Sequence, residues 1–493
     1  MEYCNDFWRI NMTNLFITLT KYIVMLSYML YLVLSFFSMA IVKKKFNPDE
    51  YDEEYSNEQI SKFNQKLEKQ YEQKISLICA VQYGLILIVH IFCYTALYLD
   101  SNSIEILMFL AVQVAFLFVV KKLYSMVYCG LSPQLMNHML LLIVTGLIMI
   151  CRLNYSNALK QFIFIVVTMM ICLVVPAVID KAKKLDNLSV IFASVSFFLL
   201  LIVLVAGKRV YGSKNWIKLG PVLLQPSEFA KIIFVFAIAG LLSKGATFKR
   251  ILITGTIAAA HVLILVAEKD LGGALIFFIT YVIMIVVASG NILYLIAGIF
   301  AGGASSMVAY RLFSHIRVRV TAWKDPWSVI DNQGYQIAQS LFAIGTGGWF
   351  GLGLTRGFPS SIPVASTDFI FAAICEEMGS VTGICIILMY ILVFVTILEI
   401  AVKLTSGFHK LVAVGLGFMI IFQTFLCIGG VIKFIPSTGV TLPLISYGGS
   451  SIVSTLILFN IIQGLYVLNQ NGERRNEKSK RRNQSKNRKT AKN

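Results

Sequence analysis

Charged residues are scarce in this chain of 493 residues, at 14%, whereas 57% of the residues are hydrophobic and the mean hydropathy is +0.76. This balance excludes a soluble globular protein and predicts a polytopic membrane protein. The nine cysteines are scattered singly, without CxxC spacing or a partnering histidine cluster. Neither a disulfide framework nor a metal site is therefore predicted.

Acidic residues are few, with 25 Asp and Glu against 43 Lys and Arg, which gives a net charge of +18. Much of the excess lies in the tail at 471–493, which holds ten Lys or Arg and two Glu and lacks aromatic residues for base stacking. We therefore expect no nucleic-acid binding. The tail is interpreted as a basic, disordered cytoplasmic segment near anionic membrane lipids.

Thirteen hydrophobic runs are long enough to cross a membrane. They lie at 14–42, 77–99, 103–121, 136–152, 160–179, 188–206, 226–243, 249–267, 271–289, 292–309, 368–400, 411–432 and 447–468. An accessory membrane region at 1–130, with a cytoplasmic linker at 43–76, thus precedes a main all-α bundle at 131–470. The accessory helices either pack against the bundle or contact a regulatory partner, with a slight preference for the partner.

Lysine and arginine favour the cytoplasmic side of a membrane protein. If every run crosses once, the basic clusters from Lys43 to the tail share one side, which places the N-terminus outside and the C-terminus in the cytoplasm. The loops at 207–225, 310–367 and 433–446 are then external, and two of them are basic against this rule. Their basic residues are Lys208, Arg209, Lys214 and Lys218 in the first loop and Arg311, Arg317, Arg319 and Lys324 in the second. They could bind an anion at the outer surface, or they could be tolerated loop charges.

Asp368 is the only acidic residue between Asp331 and Glu376, and it lies where the second basic loop enters an apolar run. An acid at the centre of a membrane helix costs about 2.5–3.5 kcal/mol on insertion scales, so ionisable groups within the membrane are candidates for function. Ser, Thr and Asp also cap helices, so Ser366-Thr367-Asp368 fits a helix start as well. Position alone leaves both interpretations open.

Glu228 and Lys231 are three residues apart and would share one helix face. They follow Pro226-Ser227, which is typical of a helix start. The two side chains could contact a substrate, or they could form a structural ion pair that allows both charges to be buried.

Other polar and small residues are assigned to structure. Glu376 would lie about 12 Å deeper than Asp368 on the same helix, with Glu377 on nearly the opposite face, so both suit packing or a polar network. The run at 447–451, Tyr-Gly-Gly-Ser-Ser, suits close helix packing better than substrate contact. The glycine-rich stretch at 345–353 lacks the Gly-Lys-Ser/Thr ending of a P-loop.

Several short motifs follow one another from about 136 to 468. They are Tyr211-Gly212-Ser213-Lys214-Asn215-Trp216-Ile217, Gln225-Pro226-Ser227-Glu228-Phe229-Ala230-Lys231, Glu268-Lys269-Asp270-Leu271-Gly272-Gly273, Arg319-Val320-Thr321-Ala322-Trp323-Lys324-Asp325-Pro326-Trp327, Gly334-Tyr335-Gln336, Gly345-Thr346-Gly347-Gly348, Thr367-Asp368-Phe369, Glu376-Glu377-Met378-Gly379 and Tyr447-Gly448-Gly449-Ser450-Ser451. In order and spacing they resemble the SEDS family of cell-wall proteins, which includes RodA, FtsW and SpoVE. The motif residues expected to be structural are Trp216, Pro226, Ser227, Asp270, Pro326, Tyr335, Gln336, Glu376, Tyr447, Gly448 and Gly449.

The resemblance implies a ten-helix bundle in the bacterial cytoplasmic membrane, here with about three additional N-terminal helices. It implies a peptidoglycan glycosyltransferase that polymerises lipid II outside that membrane, for cell elongation, division or sporulation. It also implies a class B penicillin-binding protein, a transpeptidase, as partner. By the same resemblance Asp368 is the essential acid, and Glu228 and Lys231 are a required pair.

Glycosyl transfer from a diphosphate-linked sugar needs a base for the acceptor hydroxyl and positive charge for the departing diphosphate. Asp368 could be this base, and attack with inversion would release undecaprenyl diphosphate. Arginine suits the diphosphate, because its guanidinium binds phosphate through two hydrogen bonds. The candidate cations are Arg317, Arg319, Lys214, Lys218 and Arg356. No dedicated metal motif is present, and a divalent cation is left open.

The chain departs from the family pattern near its key residues. Val364 and Ser366 stand where many members have Glu and His, Lys269 replaces a usual Pro, and Asn215 replaces a usual basic residue. Asp368 therefore has no histidine beside it in sequence to share its proton. A lipid II flippase and a non-catalytic scaffold for the penicillin-binding protein are the alternative functions. An acid at the outer surface, away from the midplane site that alternating access requires, favours the enzyme.

Overall fold

The computed structural model describes residues 2–41, 57–128, 130–182, 184–210, 213–220 and 222–490. The accessory region forms three helices: α1 (Glu2–Ala40), α2 (Asn57–Ser101) and α3 (Ile104–Val127). The predicted linker at 43–76 is helical from Asn57, because its Glu, Gln and Lys residues are good helix formers. The Lys43 cluster and the rest of the linker lie outside the described residues.

The main bundle follows in chain order. Its helices are α4 (Pro133–Leu153), α5 (Tyr155–Cys172), α6 (Val175–Lys181), α7 (Ser189–Ala206), α8 (Ser227–Leu242), α9 (Phe248–Ala267), α10 (Leu271–Ser289), α11 (Leu293–Leu312), α12 (Ser314–Lys324), α13 (Tyr335–Gly347), α14 (Ile370–Met378), α15 (Ser380–Lys403), α16 (Gly407–Val431) and α17 (Gly449–Thr490), with short 3-10 helices at Leu185–Leu188 and Pro359–Ser361. Within the described ranges, twelve helical spans are long and apolar enough to cross a membrane. The remaining predicted run, 226–243, is α8, a largely buried helix of 16 residues.

A small antiparallel sheet accompanies the predicted all-α bundle. It occupies the first basic loop and consists of β1 (Lys208–Val210), β2 (Ser213–Leu219) and β3 (Val222–Leu224), in the order β1-β2-β3. Three residue pairs, from Ile217–Leu224 to Leu219–Val222, align β2 with β3. Strands this short carry too few residues for a period-two pattern to stand out in the sequence.

The run at 368–400 is broken twice, which corrects its interpretation as one helix. Asp368 lies in a turn, α14 begins at Ile370, and Gly379 separates α14 from α15 with φ of +89°. Asp368 and Glu376 therefore do not share a helix, and the predicted difference in depth does not apply. The N-cap position of α14 is Phe369, and no side-chain hydrogen bond caps this helix. Asp368 is therefore not the helix cap that the sequence allowed.

The accessory helices pack against the main bundle, which is one of the two possibilities that the sequence left open. α1 lies along α2 and α15, and α2 lies along α4. Buried polar contacts join the two regions: the hydroxyl of Tyr31 lies 2.9 Å from Nδ1 of His138, and Asn137 donates to the carbonyl of Cys79 at 2.8 Å. Interhelical hydrogen bonds in membranes contribute on average about 0.6 kcal/mol each, so they add specificity to a contact made mainly by packing.

The final helix continues through the basic tail. α17 runs to Thr490, although we predicted disorder from 471. Arg, Lys, Gln and Glu are good helix formers, and the buried first half of α17 already supplies the helical nucleus. The polar residues therefore extend an existing helix and need no tertiary contact.

Candidate active site

A cavity of about 670 Å³ opens at one end of the bundle. It is enclosed by the first turns of α8, α10 and α13, one face of α12, the turn before α14 and the segment 437–441. Three acids and three bases line it: Glu228, Asp270, Asp368, Lys231, Lys269 and Arg319. The fold thus brings together charged residues from four separate parts of the sequence.

Asp368 is held in the cavity by the backbone of its own turn. The segment before α17 donates hydrogen bonds to the two carbonyls that precede Asp368. Tyr447 N–H donates to the carbonyl of Ser366 at 2.8 Å, and the Ser446 hydroxyl donates to the carbonyl of Thr367 at 2.5 Å. Val364, with φ of +51°, accepts from the Thr367 N–H at 3.0 Å and closes the turn. These bonds hold the backbone of the turn from which the Asp368 side chain projects.

The carboxyl group of Asp368 lies between two opposing influences. Burial raises its pKa above the ordinary value for aspartate, while Arg319 and a hydrogen bond from Thr367 lower it. Gly439 lies between the acid and the arginine, because a Cβ built on it would be 3.6 Å from Oδ2 of Asp368 and 3.7 Å from Nη2 of Arg319. A carboxylate with a raised pKa that stays ionised beside a cation is a suitable general base.

Arg319 is fixed by the fold on the cavity side of α12. Its Nη1 donates to the carbonyl of Ser437 at 3.1 Å, which ties α12 to the segment 437–441. Burial lowers the pKa of the guanidinium, and the charges of Asp368 and Asp270 counteract this. The arginine remains a cation that faces two carboxylates across the cavity.

Glu228 and Lys231 form the ion pair that the sequence left open as one of two interpretations. The Nζ of Lys231 lies 2.8 Å from Oε2 of Glu228 and 2.8 Å from Oε1 of Gln423, and Ser454 donates to Glu228 at 2.8 Å. Gln423 in turn donates to the Thr441 carbonyl at 3.0 Å. The pair both lines the cavity and joins α8 to α16 and to the segment 437–441, so the structural and substrate roles do not exclude each other.

Asp270 organises another wall. It caps α10 by accepting from Gly273 N–H at 2.8 Å, and its second oxygen accepts from Asn215 at 3.1 Å and from Gln225 at 3.4 Å. Behind it, burial raises the pKa of Glu268 to about 8, with Asp270 adding to the shift and Lys214 opposing it. Asp270 therefore both holds the sheet to α10 and presents a charge to the cavity.

Several of the cations predicted as diphosphate partners do not line this cavity. Arg317 is exposed and donates to the carbonyl of Arg311 at 2.8 Å. Lys214 donates to Leu204 at 2.7 Å, and Arg356 bonds to Asn14 of α1. Of the predicted set, Arg319 alone lines the cavity; Lys218 does not.

The residues that we assigned to structure divide into two groups. Trp216, Ser227, Asp270, Tyr335, Gln336, Tyr447 and Gly448 line the cavity. Pro226, Pro326, Glu376 and Gly449 lie outside its lining. Gly449 begins α17 against Phe164, which agrees with the packing role, whereas Gly448 borders the cavity.

Sequence reasoning missed the residues that α16 and the segment 437–441 contribute. Gln423 is an isolated amide within the apolar run 411–432, and a lone polar residue in a membrane span was the available signal. Ser437, Thr438 and Gly439 carried no such signal, because their role depends on where the chain passes between Asp368 and Arg319.

Residues 133–471 match the family model of the FtsW, RodA and SpoVE proteins, which are described as cell cycle proteins. The chain belongs to this family, and it is a multi-pass membrane protein. The accessory region precedes the matched residues.

Two relatives and one solved structure illustrate the similarity. Peptidoglycan glycosyltransferase RodA of Mycobacterium tuberculosis strain H37Rv is 38% identical over 290 residues, which cover 56% of this chain and 61% of the relative. The probable peptidoglycan glycosyltransferase FtsW of Aliivibrio salmonicida is 34% identical over 369 residues, covering 69% of this chain and 91% of the relative. A chain from a peptidoglycan synthase complex described as coordinating polymerization and crosslinking is 25% identical, with a TM-score of 0.58, and covers 68% of this chain and 97% of that chain. This chain thus spans about three fifths of the mycobacterial relative.

Proposed function

We propose that the protein is a peptidoglycan glycosyltransferase that polymerises lipid II, in cell elongation, division or sporulation. The observation that carries the proposal is that Asp368 and Arg319 line one cavity and both lie close to Gly439. A base and a cation in one cavity suit transfer of a sugar from a diphosphate. The names of the relatives support the same reaction.

In this proposal Asp368 takes the proton from the 4-hydroxyl of the acceptor sugar. The hydroxyl oxygen attacks the anomeric carbon of the donor with inversion, and the bond to the diphosphate breaks. Arg319 stabilises the negative charge that develops on the leaving undecaprenyl diphosphate. Lys269, which lines the same cavity where the family usually has proline, would add a second positive charge.

A divalent cation could also neutralise the diphosphate, and the involvement of such a cation stays a proposal. Across the described ranges, no group of three or more His, Cys, Asp or Glu side chains could hold a metal ion. The residues present thus do not fit a dedicated metal site, and we assign every step to the side chains of the chain itself.

The proposed location is the bacterial cytoplasmic membrane, with the N-terminus outside, the C-terminus in the cytoplasm and the cavity on the outer face. The basic clusters support this orientation, because lysine and arginine collect on the cytoplasmic side. We propose a class B penicillin-binding protein as the partner that cross-links the product, and the peptidoglycan synthase complex among the structural neighbours supports such an assembly.

The first prediction tests the base directly. The purified protein, with and without its partner, is expected to polymerise lipid II, and Asp368→Asn should lower the rate by at least about 10²-fold, since general-base catalysis contributes that much. Asp331→Asn, at an exposed acid outside the cavity lining, is the matched control and should retain the wild-type rate. Glycan length on gels is the measurement.

Three outcomes would contradict the proposal. Polymerisation by Asp368→Asn at the wild-type rate would rule out the general base. If the wild-type protein moved lipid II across vesicles without making glycan, the flippase would replace the enzyme. If it did neither and only stimulated its partner, the non-catalytic scaffold would replace it.

A further inference from the structure

One face of α1 contacts the loop that precedes Asp368. Asn14, Ile17 and Lys21 are spaced by three and four residues, so they lie on the same side of the helix. Asn14 bonds to Arg356, and Ile17 lies 3.1 Å from a Cβ built on Gly353. The ammonium group of Lys21 donates to the carbonyl of Gly351 at 3.0 Å.

Lys21 lies inside a segment that is long and apolar enough to cross a membrane, Asn11–Ala40. A lysine in such a segment is costly and typically pairs with another charge or with a backbone carbonyl. Here it binds the carbonyl of Gly351 in the glycine-rich loop 348–358, four residues beyond the end of α13. The contact links the accessory region to the loop of the main bundle by a charged hydrogen bond.

The loop is in turn joined to the far end of α14. The N–H groups of Leu352 and Gly353 donate to the carbonyls of Glu376 and Glu377 at 3.0 and 2.9 Å. Oε1 of Glu376 accepts from the Phe358 N–H at 2.9 Å. Glu377 is buried and pairs with Arg152 of α4 at 3.0 Å.

α14 connects the loop 348–358 to the cavity. It is a fully buried helix of nine residues that begins at Ile370, two residues after Asp368. A short buried helix moves as one body, so a displacement at its C-terminal end changes the position of the turn at its N-terminal end. α1, the loop 348–358, α14 and the Asp368 turn thus form one continuous set of contacts.

We propose that α1 is a brace built into the chain, and that Lys21 is a positioning residue which sets the place of Asp368 through the loop 348–358 and α14. The inference rests on the proposed glycosyltransferase function. It assigns a role to the accessory region, which lies outside the residues shared with the family.

The test replaces Lys21 in the full-length protein. Lys21→Met keeps an unbranched apolar side chain but removes the hydrogen bond to Gly351, and Lys21→Arg keeps a donor. Gln134→Leu is the matched control, because it removes a 2.8 Å hydrogen bond between α4 and Ser38 near the other end of α1, away from the loop. All variants are compared by polymerisation of lipid II and by hydrogen exchange of the 348–358 backbone.

We expect Lys21→Met to lower kcat by about tenfold with KM nearly unchanged, since small displacements of catalytic groups are costly. The amides of Leu352 and Gly353 should exchange faster in the same variant. Lys21→Arg should recover most of kcat, and Gln134→Leu should match the wild type in both measurements.

Two results would overturn the brace. The first is wild-type kcat in Lys21→Met, and the second is an equal loss of kcat in Gln134→Leu, which would mean that any weakening of the α1 interface has the same effect. Both are measured against an active wild-type protein. A wild-type protein without glycan synthesis would instead count against the proposed function, with faster exchange at Leu352 still reporting on the contact.

Discussion

Asp368 owes its chemistry to the side chains and backbone around it. Burial alone would leave it protonated to a higher pH than an ordinary aspartate, and Arg319 opposes this by favouring the ionised form. The chain has Ser366 where many family members have histidine, so the arginine is the neighbour that tunes the acid. Arg319, which would contact the leaving group, thus also favours the ionised form in which Asp368 can accept a proton.

This pairing predicts a shift in the pH profile. Asp368 acts only when ionised, so activity should fall as the pH drops through its raised pKa. Arg319→Gln removes the charge that lowers this pKa, and the acid limb of the kcat profile should therefore move to higher pH. The rate at the plateau should also fall, by about 10²-fold, because a donor to the leaving group is lost.

Arg317→Gln is the control for this shift, since Arg317 is exposed and donates to the carbonyl of Arg311 at the end of α11, outside the cavity lining. Its acid limb and plateau should match those of the wild type. An acid limb in Arg319→Gln that stayed in place, or moved to lower pH, would show that Asp368 is not the group that titrates.

The contrast between these two arginines also shows where prediction from sequence stops. Both lie in the basic loop and carry the same chemistry, but residues two apart on a helix do not face the same way. Once α12 forms, only Arg319 can point into the cavity. We interpreted 310–367 as a long external loop and assigned no helix within it, so the helical period that separates the two side chains could not be applied.

At the scale of secondary-structure elements, close backbone packing explains why the stretch at 345–353 is rich in glycine. Gly347, Gly351 and Gly379 let α13, the following loop and the start of α15 approach at backbone distance. A Cβ on Gly351 would lie 2.4 Å from the carbonyl of Glu377, and its φ is +76°. The glycine-rich stretch at 345–353, which lacks the ending of a P-loop, is therefore a site of close backbone packing.

Gly351→Ala should destabilise this junction. The backbone strain alone costs about 1–3 kcal/mol, and the contact with Glu377 adds to it, so we expect a lower midpoint of thermal unfolding in detergent. Gly345→Ala, within α13 and with nothing near its Cβ, should be neutral or stabilise by up to about 1 kcal/mol. Equal midpoints for the two variants would refute the packing role of Gly351.

At the scale of the whole molecule, orientation decides which face the cavity opens to. Single cysteines test it in a background in which Cys4 and Cys129 are replaced by serine, because the seven other cysteines are buried. Lys218→Cys, on β2, should react with an impermeant reagent in intact cells, and Lys249→Cys, at the start of α9, should react only after permeabilisation. Both positions are exposed. The reverse pattern would place the cavity in the cytoplasm and contradict the proposed substrate side.

The structure shows what the accessory region contacts. From the sequence, this region could either pack against the main bundle or contact a regulatory partner, with a slight preference for the partner. The structure places α1 against α15 and the loop 348–358, where Lys21 and Ile17 meet backbone that no local pattern identifies. Contacts between residues more than 300 positions apart leave no trace in the periodicity of either segment.

The sequence by itself determined that the chain crosses the membrane many times, because spanning requires long apolar runs that are visible locally. It also identified Asp368, Arg319, Glu228 and Lys231 as candidates, because charge is conspicuous in an apolar chain. Only the tertiary structure decided which predicted cation lines the cavity with Asp368, that α14 and α15 are separate helices, that the segment 437–441 lines the cavity and that Gln423 holds Lys231 there. These depend on distances between segments remote in sequence, which are set by packing and not by composition or period.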